Sequence, residues 1–120
     1  MDLSEEQRRD LMELQNLQQQ LQMMLMQKQQ LLLQQSELEN AGEEVEKSPG
    51  PFHRFAGGIL IPKEKAVLQG ELKEDKENTG VRLNAFSKQE KKLKERFEEL
   101  RKKLEKSLPG LGGGSEPSVS

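Results

Sequence analysis

The chain has 120 residues, 33% of them charged and 3% aromatic, with neither Trp nor Tyr, so it holds at most one domain with too little apolar bulk for a conventional globular core. That balance suits long solvated helices, with disorder as the alternative on composition alone. A net charge of −2 gives no electrostatic support for a nucleic-acid partner, and the absence of Cys removes disulfides, a thiol nucleophile and any Cys-based zinc site. No apolar run approaches the roughly 20 residues that span a bilayer. Met1 to Glu6 lacks the apolar core of a secretion signal. The expectation is a soluble cytoplasmic protein without a membrane partner.

A first helix is expected over 4–46. Ser4 can cap it while Gln7, three residues on, reaches back, and Glu5 and Glu6 sit well in the first turn. Apolar residues at Leu14, Leu17, Leu21, Met24, Leu31 and Leu38 set a spacing of three and four that also admits Lys28 and Gln35. A second frame through Leu11, Leu25 and Leu32 competes with it. Eleven Gln between Gln7 and Gln35 fill the polar face or touch other subunits or a polypeptide, and Met23, Met24 and Met26 either pack or adapt to irregular partners. Ala41-Gly42 weakens the helix near its end, and Ser48-Pro49-Gly50-Pro51 stops it.

The middle block, 52–63, has strand character. Gly57-Gly58 within it is either a hairpin turn or a bulge where another backbone approaches closely. A lone two-stranded ribbon is marginal in water, and its edges would be unpaired. The block is therefore expected to pair with copies of itself or with a relative, as an oligomerisation element. His53, the one histidine, has no Cys and no nearby acidic pair to make a triad or a metal site, so it reads as a strand-surface residue. Gly57-Gly58 does not fit a phosphate loop. No catalytic residue, cofactor site or metal site is expected.

A second helix is expected over 65–107. Leu83, Phe86, Glu90, Leu93, Phe97, Leu100 and Leu104 alternate three and four apart, with Glu90 the one polar intrusion. Leu72 fits this frame, whereas Lys76 and Thr79 take the next core positions. Asn78-Thr79-Gly80 predicts a soft point in a continuous helix, with a real break as the alternative. Pro109-Gly110 ends the helix, and 109–120 reads as a flexible tail.

Matched helices around a reversing segment make the expected fold mainly α: a long antiparallel coiled-coil helical hairpin whose two arms are joined by a short β-hairpin, all within one domain, 1–120. Residues 4–47 carry nine acids and four bases, and residues 65–107 nine acids and thirteen bases. A parallel self-dimer of either arm would set like charges side by side, so intramolecular pairing is favoured. It sets Glu5, Glu6, Asp10 and Glu13 near Arg101, Lys102, Lys103 and Lys106, and Leu11 near Leu100, Leu14 near Phe97, Leu17 near Leu93 and Met24 near Phe86.

Three stretches carry a resemblance: Leu17-Gln18-Gln19-Gln20-Leu21-Gln22 with Gln27-Lys28-Gln29, the block His53-Arg54-Phe55-Ala56-Gly57-Gly58-Ile59-Leu60-Ile61, and Arg82 to Phe97 with Lys88-Gln89-Glu90 inside it. In this order and at these lengths, residues 14–107 resemble a β-class subunit of prefoldin, the hexameric co-chaperone of archaea and the eukaryotic cytosol. The resemblance implies two α-type and four β-type subunits joined through their hairpins into a double β-barrel platform. Six coiled-coil arms hang from it, and their tips hold unfolded polypeptides and pass them to a group II chaperonin without using ATP. An α-type subunit gives two hairpins and a β-type one, and this chain has room for one. Phe55, Gly57, Gly58, Ile59, Leu60 and Ile61 would then build the platform. Leu3, Leu11, Met12, Leu104, Leu108 and Leu111 are the candidates for client contact at the tips, although Leu11 and Leu104 also suit closing the coiled coil. Two other readings stay open: a prefoldin-like structural subunit of another assembly, and a coiled-coil adaptor that dimerises through its helices.

Overall fold

The computed structural model describes residues 3–108. In chain order it has α1 (Glu5–Lys47), β1 (Phe52–Ala56), β2 (Ile59–Lys63) and α2 (Lys65–Ser107), two long helices joined by a two-stranded antiparallel hairpin. The chain divides into two compact units. One takes in α1 up to Met26 and α2 from Ser87, and the other is Gln27–Phe86.

α1 starts where the Ser4–Gln7 pair places it. The Gln7 N–H donates to Ser4 Oγ at 3.0 Å, and the Ser4 N–H donates to Gln7 Oε1 at 2.9 Å, so two of the orphan donors of the first turn are satisfied reciprocally. The helix runs through Ala41-Gly42 to Lys47, and Pro49 and Pro51 forbid its continuation. Its carbonyl end is capped from the other helix, with Lys65 Nζ donating to the Glu46 and Ser48 carbonyls at 3.0 and 3.2 Å.

In the first unit Leu17 and Met24 of α1 are buried together with Leu100 and Leu104 of α2, while Leu14, Leu21, Leu93 and Phe97 are half-buried. The helix segments are antiparallel, and ion pairs close their flanks. Arg96 donates from Nε and one terminal nitrogen to the two Glu13 carboxylate oxygens at 2.9 and 3.1 Å, and Lys103 Nζ lies 3.0 Å from both Glu6 and Asp10. At the end of this unit the Gln7 side-chain amide also donates to the Ser107 carbonyl at 3.3 Å, so one residue caps α1 and ties it to the last turn of α2. The expected charge partners hold for Glu6 and Asp10 with Lys103. Arg101 binds Glu98 and Glu105, three and four residues away on its own helix.

In the second unit the buried residues are Leu31, Val45, Leu68 and Thr79. The frame through Leu31, Gln35 and Leu38 faces inward, and Leu32 of the competing frame is exposed. Lys76 is exposed beside Glu39 at 3.7 Å rather than in the core. α2 is continuous through Asn78-Thr79-Gly80. Thr79 is tolerated there, at 3% exposure, because its Oγ1–H donates to the Asp75 carbonyl one turn back at 2.9 Å.

Candidate functional site

The hairpin turn is a two-residue loop at Gly57-Gly58, with φ of +58° and +83°. Both central residues lie in the left-handed region, as a type I′ turn requires, and glycine adopts it at no steric cost. A Cβ at either position would meet nothing within 4 Å, so the turn conformation and not a close backbone approach selects glycine here. The register pairs Phe52 with Lys63, His53 with Pro62, Arg54 with Ile61, Phe55 with Leu60 and Ala56 with Ile59.

Strand alternation sorts these residues onto two faces. The inner face carries Phe52, Arg54, Ala56, Ile59, Ile61 and Lys63. Its charged members reach α2: Arg54 donates to Glu71 at 2.9 Å and to Asp75, and Lys63 donates to Glu71 at 2.7 Å. The bond to Lys63, then the one to Arg54, holds the Glu71 carboxyl below the usual carboxylate range. The Asp75 and Glu71 carboxylates raise Arg54 above the ordinary guanidinium value. This network turns the inner face toward α2.

The outer face carries His53, Phe55, Leu60 and Pro62, all exposed. Phe55 and Leu60 are cross-strand partners, and they leave 69% and 64% of their surfaces in solvent. Two large apolar side chains that could have packed inward are held out by a face whose orientation is fixed by ions. Among the expected platform residues, Phe55 and Leu60 share this face. Ile59 is exposed at the turn end of the inner face, and Ile61 is half-buried on the inner face. Sequence periodicity alone did not separate Ile61 from the others. The signal lay in Arg54 and Lys63, whose partners four residues apart on a helix mark the inner side.

The expected tip residues separate as well. Met12 is 64% exposed, and Leu3, Leu11 and Leu108 are half-buried. Leu104, at 0% exposure, is buried in the first unit, which suits the alternative that it closes the helix pair. Leu111, like the rest of the expected tail, lies outside the described residues. Among the described residues no cluster of three or more His, Asp or Glu side chains is arranged to hold a metal ion, and no helix is long and apolar enough to cross a membrane.

The family model for prefoldin subunits matches residues 8–110, nearly the whole described chain. The chain belongs to the prefoldin family, in its β class. It is 44% identical over 106 residues to the prefoldin subunit beta of Thermococcus gammatolerans, covering 86% of this chain and 91% of that one. With the prefoldin subunit beta of Archaeoglobus fulgidus it shares 35% identity over 103 residues, 84% of this chain and 89% of that one. The crystal structure of the prefoldin beta subunit from Thermococcus strain KS-1 superposes with a TM-score of 0.79 at 34% identity, covering 89% of this chain and 96% of that one. As a prefoldin subunit the chain is a chaperone component that assembles with other prefoldin subunits.

Proposed function

We propose that the chain is the β-type subunit of a cytoplasmic, ATP-independent holding chaperone built from two α-type and four β-type subunits. The hairpin is its assembly element. The start of α1 and the end of α2 hold unfolded polypeptides, which then pass to a group II chaperonin. No catalytic step, cofactor, nucleic acid or membrane enters this account.

The observation that carries it is the exposed Phe55–Leu60 pair on a two-stranded sheet. Such a sheet is marginal alone, and burying side chains of this kind contributes about 1.5–3 kcal/mol each, so the surface gains most by meeting another apolar sheet face. Phe55, Leu60 and Ile59 supply the contact, Gly57 and Gly58 shape the turn, and Ile61 supports it from the inner side. For client holding, the exposed Met12 and the half-buried Leu3, Leu11 and Leu108 support the assignment. Met is suited to irregular partners because its side chain is unbranched and adaptable.

The test is suppression of aggregation of a denatured protein by the chain assembled with an α-type subunit. Replacing Leu3, Leu11 and Met12 with Ser should leave the assembly intact and weaken holding. Undiminished holding by that variant would remove the tip assignment.

A further inference from the structure

The helix sorts the methionines of α1 by position. Met23 and Met26 follow Met12 by eleven and fourteen residues, about three and four turns, so the three share one face. In chain order they leave 64%, 61% and 64% of their surfaces in solvent, and all three belong to the first unit. Met24, one residue beyond Met23, is carried round by about 100° and is buried, at 7% exposure.

Between Glu13 and Lys28 the helix has no charged residue, and the exposed Asn16 and Gln19 fill the face between the methionines. The apolar surface of that face is therefore thioether. A leucine face of the same size would be chemically inert, whereas a peroxide turns a thioether polar. The chain has no Cys to take the oxidant first.

We propose that Met12, Met23 and Met26 are an oxidation site through which a peroxide turns client holding down. This rests on the reading that the start of α1 holds unfolded polypeptides, and it gives that surface a regulation. The sulfur lone pair attacks one oxygen of hydrogen peroxide, and the S–O bond forms as the O–O bond breaks. The departing hydroxide takes the proton of the transferred oxygen and leaves as water. Sulfur is oxidised by two electrons, and the peroxide is reduced to water. The sulfoxide is polar and accepts hydrogen bonds from water, so it loses the gain of burial against apolar client segments. A methionine sulfoxide reductase reverses the step with a dithiol, which becomes a disulfide as the oxygen leaves as water. Met24 stays a thioether because the core screens it, so the helix pair is kept.

The test oxidises the chain alone with hydrogen peroxide, removes the peroxide with catalase and assembles the product with an untreated α-type subunit. Peptide mapping by mass spectrometry should find oxygen on Met12, Met23 and Met26 before Met24. The solution mass should match that of the untreated assembly, since none of the three lies in the hairpin. Suppression of aggregation of a denatured protein should be lost, and methionine sulfoxide reductases of both stereospecificities, with a dithiol, should restore it. The variant Met12→Leu, Met23→Leu, Met26→Leu keeps side-chain volume and helix propensity. It should hold the client as the unmodified chain does and go on holding it after peroxide. Oxidation of Met24 as fast as the other three, or a loss of holding that the leucine variant shares, overturns the proposal. Replacing Leu3, Leu11 and Met12 with Ser separates the two levels. If that variant holds as well as the unmodified chain, the tip reading is wrong. If it fails to hold while the oxidised chain holds in full, only the oxidation site is wrong.

Discussion

Phe55 stands directly across the hairpin from Leu60, and the two point away from the helix that carries Glu71 and Asp75. The relationship joins two independent causes. A type I′ turn fixes the register, and an ion network decides which face looks outward. Replacing both residues with Ser should leave the helix content unchanged by circular dichroism, because neither contributes to a helix seam. It should cost co-assembly with an α-type subunit on the order of a hundredfold or more in affinity, as two apolar side chains of about 1.5–3 kcal/mol each are lost.

Leu104 and Met12 test the division between core and contact surface. Leu104→Ala should destabilise the protein by about 2–5 kcal/mol, since it opens a cavity in a fully buried site. Met12→Ala, at an exposed position, should change stability by no more than about 0.5 kcal/mol while weakening the holding of a denatured client. Thermal unfolding read beside an aggregation assay separates the two effects.

Gly70 and Gly80 lie inside α2 with room for a side chain. A Cβ on Gly70 would meet nothing within 4 Å, and one on Gly80 would lie 3.6 Å from Gln35 Nε2, an ordinary contact. Gly70→Ala and Gly80→Ala should each stabilise the chain by about 0.5–1 kcal/mol, through helix propensity and a less disordered unfolded state. Urea unfolding of the single and double variants checks this, with near-additive effects expected for separated sites.

Acid should loosen both units through named carboxylates. Arg96 holds Glu13, and Lys63 with Arg54 holds Glu71, below the usual carboxylate range. A lowered folded-state pKa means the contribution is present above the unfolded value and lost as pH falls through the lower folded value. At the other end of the scale, hydrogen bonds to Asp10 and then Glu6 raise Lys103, so its contribution is complete below the unfolded lysine value and lost as pH rises through the higher folded one. Glu71→Gln should flatten the acid limb of hairpin protection in hydrogen exchange and leave that of the first unit unchanged. Because these pairs are at least partly in solvent, added salt should weaken the native-pH effect.

The helix–hairpin–helix order was legible because its punctuation is local. Ser4 with Gln7, Pro49 with Pro51, and Gly57 with Gly58 act through backbone chemistry that the neighbouring residues cannot override. The family was legible for the same reason, since order and length survive where single positions vary. Burial was less legible. Leu104 looked equally suited to a tip and to a seam, and its burial depends on α1 residues nearly a hundred positions away. Val45 lies beyond the Ala41-Gly42 weak point, one heptad after Leu38, and it is buried all the same, as is Leu68 near the start of α2. Thr79 falls at a core position of the second helix's frame and is buried there, whereas Lys76 at the preceding core position is exposed, and the bond from the Thr79 hydroxyl to the Asp75 carbonyl makes the difference possible. Which hairpin face is outer cannot be read from apolar character alone, since Ile59, Leu60 and Ile61 are all apolar.

The most direct measurement is the solution mass of the chain by light scattering, alone and mixed with an α-type prefoldin subunit, repeated after deletion of Phe52–Ile61. The account predicts a mass near that of a two-plus-four hexamer only in the mixture, and its loss on deletion with the helices retained. A stable dimer that ignores the α-type subunit and survives the deletion would contradict it.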